Sequence, residues 1–301
     1  MISVWTRRMA LALICGPAVL LASCGSSSIV GAIKPTRFIS VGDGFSDVGQ
    51  NGYRYTINDG TMEWTQQLAA NYNLTLTAAS AGGWSYAQGH ANVATPDTTS
   101  GANAPSVQSQ IDTMLARVTF TNTDIVLVSG GISDIVNAVN ATGVSSSATV
   151  NTVTDAGTAL GGQVRRLVNA GATHVVVSGV YDMGISPWAR GLGQSDAITN
   201  LSTDFNNALL LSIVDLGANV LYVDPALFYN LIYNQQSLTN VTDPVCTTPD
   251  ATTCTANTIV SGADITQYLF ADNLYFTPYA LRLFATDSYN QNAYTRLVDR
   301  W

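Results

Sequence analysis

The sequence predicts a single-domain α/β fold with a parallel sheet. Three observations carry that expectation. Short apolar runs alternate with segments of helical periodicity. Two of those runs are apolar almost throughout, as central strands covered on both faces should be. Beyond residue 35 there is no repeat of fixed period and no second linker.

In order along the chain, residues 36–42 (TRFISVG) read as the first strand. Residues 61–72 place Met62, Trp64, Leu68 and Tyr72 at near-helical spacing. Residues 104–117 read as a second helix with Pro105 near its first turn. The run 124–129 (DIVLVS) is a buried strand, 147–170 a helix ending near Gly171, and 174–179 (HVVVSG) the next strand. A long helix over 195–216 precedes a strand at 219–223 (NVLYV), and a last helix follows Pro278. In such sheets functional residues collect just past the carboxyl ends of the strands, at a topological switch point.

Composition narrows the class. Only 11% of the 301 residues are charged and 47% are hydrophobic, against about 25% charged for an average soluble chain. This is not a disordered composition. The net charge of −8 opposes nucleic-acid binding, because the phosphate backbone would be repelled. Lys34 is the sole lysine and Glu63 the sole glutamate, so the surface is expected to be rich in neutral polar groups, which points to export.

The amino-terminal pattern agrees. Arg7 and Arg8 precede an apolar run from Met9 to Ala22, followed by small residues and Cys24. A charged start, a short apolar stretch and a small-residue exit predict a signal peptide over 1–23. The run of about 14 residues is short for a helix crossing a bilayer, which needs roughly 20. Leu21-Ala22-Ser23-Cys24 resembles the lipobox of bacterial lipoproteins. That resemblance implies cleavage before Cys24, acylation of Cys24 and a membrane partner reached through the lipid anchor. Gly25, where an Asp would imply inner-membrane retention, implies an outer-membrane destination, on the periplasmic or surface face. Residues 24–35 then form a Ser/Gly-rich tether and 36–301 the folded domain. Cys246 and Cys254 lie eight residues apart in a Thr/Pro/Asp-rich stretch. In an oxidising compartment they are expected to pair. No metal or cofactor is expected, since there are two histidines, no cysteine cluster and no calcium-loop pattern.

The strand-end segments carry a second resemblance. Gly42-Asp43-Gly44-Phe45-Ser46-Asp47-Val48-Gly49-Gln50-Asn51 resembles the first block of the GDSL, or SGNH, hydrolases. Ser85-Tyr86-Ala87-Gln88-Gly89-His90-Ala91 resembles their second block, Gly130-Gly131-Ile132-Ser133-Asp134 the third, and Leu269 to Pro278 the last. The resemblance spans roughly residues 36–300 and implies a three-layer α/β/α, flavodoxin-like sheet. It also implies ester hydrolysis by a serine nucleophile, a histidine base, an orienting aspartate and an oxyanion hole.

Nearly every catalytic position departs from that pattern. The nucleophile position is Gly44, the base position Tyr275 and the oxyanion asparagine position Ser133. The second oxyanion position falls on His90, or on Gly89 with a shift of one residue. Of the triad only Asp272 remains. Loss of the nucleophile in a serine hydrolase costs about 10⁶ in turnover. Ionising a tyrosine near neutrality costs roughly 4 kcal/mol. Losing an oxyanion donor costs a further 10² to 10³ or so.

Other residues stand where a replacement could act. Ser46 reads as a helix cap or a substitute nucleophile. His90 reads as a loop histidine or a pocket residue, and His174 as structural. Asp43 reads as a brace for its turn or, with Asp272, as a carboxylate pair. Trp64, Trp84, Tyr86, Trp188 and Tyr275 could stack on a ligand or pack over the sheet edge. Residues 235–265 could form a lid. Two functions follow. One is a non-hydrolytic descendant that binds an acyl ester or glycan ligand, and the departures favour it. The other is an active esterase or lipase with a site rebuilt from Ser46, His90 or Asp272.

Overall fold

The computed structural model describes residues 33–286 and 291–301. The expected signal segment, Cys24 and the tether as far as residue 32 lie outside the described residues. Ala32–Trp301 form one compact unit.

The first strand, β1 (Arg37–Val41), is buried over its last four residues and runs into a single helical turn at Gly44–Ser46. After a long irregular stretch come α1 (Trp64–Ala70) and α2 (Val107–Leu115). A Glu63/Gln66 capping box starts α1. Ser106 caps α2 by accepting from the Ser109 N–H, so Pro105 precedes the cap and is not in the first turn. Then follow β2 (Asp124–Val128), α3 (Ile132–Thr142), α4 (Ser147–Asn169) and β3 (Val175–Ser178). The short α5 (Pro187–Gly191) and long α6 (Ser195–Ile213) lead to β4 (Val220–Val223) and α7 (Pro225–Gln235). The chain closes with β5 (Asn240–Pro244), β6 (Tyr268–Phe270), α8 (Pro278–Thr286) and α9 (Ala293–Arg300).

Strands β1 to β4 form a parallel sheet in that order. Residues 84–86 extend it beyond β1. Ser40 N–H donates to the Trp84 carbonyl at 3.0 Å, and Tyr86 N–H donates to the Ser40 carbonyl at 2.7 Å. The segment comes second in the chain but lies outside the first strand, which gives the flavodoxin-like order and puts the switch point between β1 and β2. Helices α2, α3, α4 and α6 pack together, and α1, α8 and α9 pack together, giving helical layers about the sheet. Strands β2 and β3 are buried along their whole length, which explains their unbroken apolar sequences. Strands β5 and β6 make a separate two-stranded parallel pair.

Helices α3, α5, α7 and α9, the β5–β6 pair and the pairing of residues 84–86 with β1 are not among the elements the sequence predicts. Asp224-Pro225 is an N-cap followed by proline at the first helical position, a start signal for α7. Ile132, Ile135 and Val139 sit on the buried face of α3 at helical spacing. At the opposite end of the sheet from the switch point, the Ile33 N–H donates to the Trp301 carbonyl at 2.6 Å. There His174 packs its ring against Trp301 with centroids 4.8 Å apart, a structural setting, and burial pushes its pKa down. No helix among the described residues is long and apolar enough to cross a membrane.

Candidate functional site

The loops after β1 and β2 meet at the switch point. Asp43 caps the Gly44–Ser46 turn by accepting from the Phe45 N–H at 3.1 Å. Its other oxygen accepts from the Ile132 N–H, the first residue of α3, at 3.1 Å. Asp43 therefore does what a brace for its turn should do, and it ties the two loops together. Asp47 accepts from the Gly49, Gln50 and Gly89 N–H groups at 2.8, 2.9 and 2.9 Å. Asp134, in the first turn of α3, accepts from the Val93 N–H at 3.0 Å.

Gly44 has ordinary right-handed backbone and no conformational need for glycine. The reason for it is spatial. A Cβ placed there would sit 2.7 Å from the Tyr275 hydroxyl and 2.8 Å from two carbons of its ring. The Tyr275 ring thus covers the position expected to hold a nucleophile. Tyr275 is 6% exposed and packs against Tyr55 with ring centroids 5.0 Å apart. Burial pushes both phenol pKa values well up, so neither is a base near neutrality.

Ser46 is displaced from both of its expected roles. It is 1% exposed and ends its turn instead of capping it. Its hydroxyl lies 2.7 Å from that of Ser129 and accepts from the Trp64 indole N–H at 3.1 Å. That pairing points the hydroxyl into the packed interior.

Asp272 follows β6 and accepts three backbone N–H groups. Leu274 and Tyr275 donate to one oxygen at 2.8 and 2.7 Å, and Ala251 donates to the other at 2.9 Å. Among the described residues, no side chain donates to Asp272 as an oriented base would. The Ala251 bond fixes the loop closed by the Cys246–Cys254 disulfide, whose Cα atoms are 5.8 Å apart. Asn58 holds the same loop, its N–H donating to the Cys254 carbonyl at 2.8 Å and its amide to the Ala251 carbonyl at 3.0 Å.

These loops enclose a cavity of about 140 Å³. Four of the residues singled out in the sequence line it: His90, Ser133, Asp272 and Tyr275. The structure does not bring Gly44, Ser46 or Gly89 to its wall. Gly44 lies under Tyr275, and the Gly89 N–H is spent on Asp47. Gly89 is glycine because a Cβ would fall 1.8 Å from the Tyr55 ring. His90 carries the left-handed backbone instead, with φ of 64°, and stacks edge-on against Tyr55 at 5.4 Å. Ser133 reaches the cavity from the first turn of α3.

Sequence reasoning missed Tyr55, Asn137, Pro249 and Asp250, which also line the cavity. Asn137 is four residues past Ser133 on α3, so helical spacing would have found it. Pro249 and Asp250 sit inside the disulfide loop. Tyr55 has no local signal, because its partner is far away in sequence. Of the aromatics expected to stack on a ligand, only Tyr275 reaches the cavity. Trp64 is fully buried, Trp84 lies between the guanidinium groups of Arg37 and Arg117, and Tyr86 is buried against Arg117.

Three carboxyl groups of these loops are electrostatically unusual. Desolvation raises Asp43 and Asp272 to about 6 and Asp134 to about 7, despite the backbone donors that oppose the shift. No group of three or more His, Cys, Asp or Glu able to hold a metal occurs among the described residues.

No protein-family model matches the sequence, and no curated protein matches it. Several solved structures match over most of the chain at low identity. One is a member of the lipolytic G-D-S-L family from Veillonella parvula, at 12% identity and a TM-score of 0.45, covering 83% of this chain and 93% of that one. A carbohydrate acetylesterase from Sinorhizobium meliloti matches at 11% identity and 0.44, covering 87% and 94%. The M. smegmatis aryl esterase matches at 14% and 0.43, covering 82% and 93%.

Proposed function

We propose that this chain is an exported lipoprotein of the GDSL/SGNH type that binds a small ligand at its switch-point pocket and does not hydrolyse it. One observation carries the reading: the Tyr275 ring stands against Gly44, so the nucleophile position is both empty and covered. The four sequence blocks support the family part, because three of them line one cavity and the first lies beneath Tyr275 at Gly44. The active-esterase alternative loses its leading nucleophile, since Ser46 is bonded to Ser129 and Trp64 away from the cavity.

The test is turnover of short-chain nitrophenyl esters together with labelling by a fluorophosphonate. Neither signal is expected above background. Labelling of Ser133, or turnover lost in Ser133→Ala or Asp272→Ala, would overturn the reading. The export part rests on residues 7–24. It predicts incorporation of labelled palmitate into the full chain that disappears in Cys24→Ala.

A further inference from the structure

The end of the sheet opposite the pocket carries a surface of its own. There α6 finishes and turns through residues 214–219 into β4. Two bonds fix the turn to the neighbouring strand entry. The Val175 N–H donates to the Asn219 carbonyl at 2.8 Å, and the Asn219 amide donates to the Thr173 carbonyl at 3.3 Å. On this rigid support Leu211 and Val214 stand 76% and 77% exposed, with Leu210 beside them at 38%. Spacings of three and four residues make them one apolar patch.

Cations rim the patch. The Arg165 guanidinium donates to the Ser212 carbonyl at 3.0 Å and pairs with Asp215 at 2.7 Å. The Arg300 guanidinium donates to the Gly217 carbonyl farther along the same turn. Arg296 is one helical turn before Arg300 on α9, and both are exposed, as is Lys34 beside Ile33. Asp299 opposes these charges. Trp301, half-buried against His174, completes the surface.

We propose that this end of the domain docks on an anionic lipid bilayer. Leu211 and Val214 enter the headgroup layer, and Arg296, Arg300 and Lys34 lie against lipid phosphates. The choice of a bilayer rests in part on the anchor reading of Cys24. Nine residues separate Cys24 from Ile33, a reach of about 30 Å when fully extended. The described chain begins at this end, bonded to Trp301, so an acylated Cys24 would bring this face within reach of the membrane. Size argues the same way. Three aliphatic side chains are far short of the roughly 800 Å² per partner of a stable protein interface. They suit shallow insertion that cations and a tether reinforce.

The net charge of −8 does not forbid this contact, because charge is segregated. Exposed Asp59 and Asp250 belong to the loops at the pocket end. A strand length of roughly 16 Å separates that end from the docking face, about two Debye lengths at physiological salt.

Residues 25–301 contain the whole compact unit that begins at Ala32 and carry no acylated cysteine. They are sedimented with vesicles of phosphatidylcholine alone and of an equal mixture with phosphatidylglycerol. Binding to the mixed vesicles is expected to be at least about tenfold tighter and to weaken as salt is raised. Leu211→Asn with Val214→Asn should lower it roughly tenfold. Lys34→Glu with Arg296→Glu should erase the preference for phosphatidylglycerol. Leu192→Asn, which removes a 48% exposed leucine near the start of α6, should change nothing. Absent binding, equal binding to both vesicles, or an equal loss in Leu192→Asn would overturn the proposal. So would a dimer in sedimentation velocity that Leu211→Asn with Val214→Asn abolishes, since the face would then belong to a second copy. Palmitate incorporation at Cys24 is read on the full chain, so failure of the anchor and failure of the docking face are distinguishable.

Discussion

The Tyr275 ring and the α-carbon of Gly44 are mutually dependent: a Cβ at position 44 would lie 2.7 Å from the Tyr275 hydroxyl. Gly44→Ser alone is expected to destabilise the fold by about 1–3 kcal/mol through overpacking. Tyr275→His in the same chain should remove most of that cost. A double-mutant cycle by urea unfolding should therefore show a favourable coupling of about 1 kcal/mol or more. Additive single effects would mean that the ring moves aside freely. The pair should also show measurable nitrophenyl-ester turnover; a folded but inert pair would show that the rest of the pocket bars the chemistry too.

Asp272 reads from geometry as a loop organiser. Asp272→Ala strips acceptors from three backbone N–H groups. A loss of about 3 kcal/mol is expected in urea unfolding, at roughly 1 kcal/mol for each stranded donor. Asp272→Asn keeps one acceptor oxygen and should lose less. If both variants match the parent, the carboxylate is not holding these loops.

Five buried carboxylates, Asp43, Asp47, Glu63, Asp134 and Asp272, set a pH dependence with an uncommon sign. Asp43 and Asp272 are raised to about 6 and Asp134 to about 7, chiefly by burial. An unfolded aspartate ionises near 3.9. Between those values the folded chain holds more protons than the unfolded one, so stability falls as pH rises. The favourable contribution of Asp43, Asp134 and Asp272 is complete below about pH 4 and lost by about pH 7. Asp97, held low by its Ser100 and Thr99 donors, works in the opposite sense at lower pH. Thermal unfolding is expected several degrees higher at pH 5 than at pH 8, with a shallower slope in Asp134→Asn. A melting temperature that rises steadily from pH 5 to 8 would contradict the assignment.

The Cys246–Cys254 bond closes a short loop whose Pro249 and Asp250 form one pocket wall. Chain-entropy arguments put its contribution at roughly 2.5 kcal/mol. Reduction should lower stability by about that amount and weaken binding in the pocket. Unchanged binding and unchanged hydrogen exchange at Ala251 after reduction would remove this loop from the site and rule out a lid over 235–265.

Much of the fold was legible because parallel strands announce themselves. The run at 124–129 and the run at 174–179 are apolar on both faces, and nothing but a covered strand needs that. Helix α3 was masked by the motif at its start. The sequence Gly130 to Asp134 reads as a loop block, although the helix begins at Ile132 within it. The site was legible as a set of strand-end segments, and the vacancy at Gly44 was visible. What covers the vacancy was not. Tyr55 meets Tyr275 across 220 positions of chain, a pairing that no local spacing encodes. The same is true of Ser46, whose partners Ser129 and Trp64 are fixed only once β1 and β2 lie side by side.

All strands of the main sheet point the same way, and this gives the domain a head and a foot. The described chain enters at the foot, where Ile33 is bonded to Trp301, and the pocket opens at the head, one strand-length of about 16 Å or more away. Whatever engages the Ile33–Trp301 end therefore leaves the mouth of the pocket uncovered.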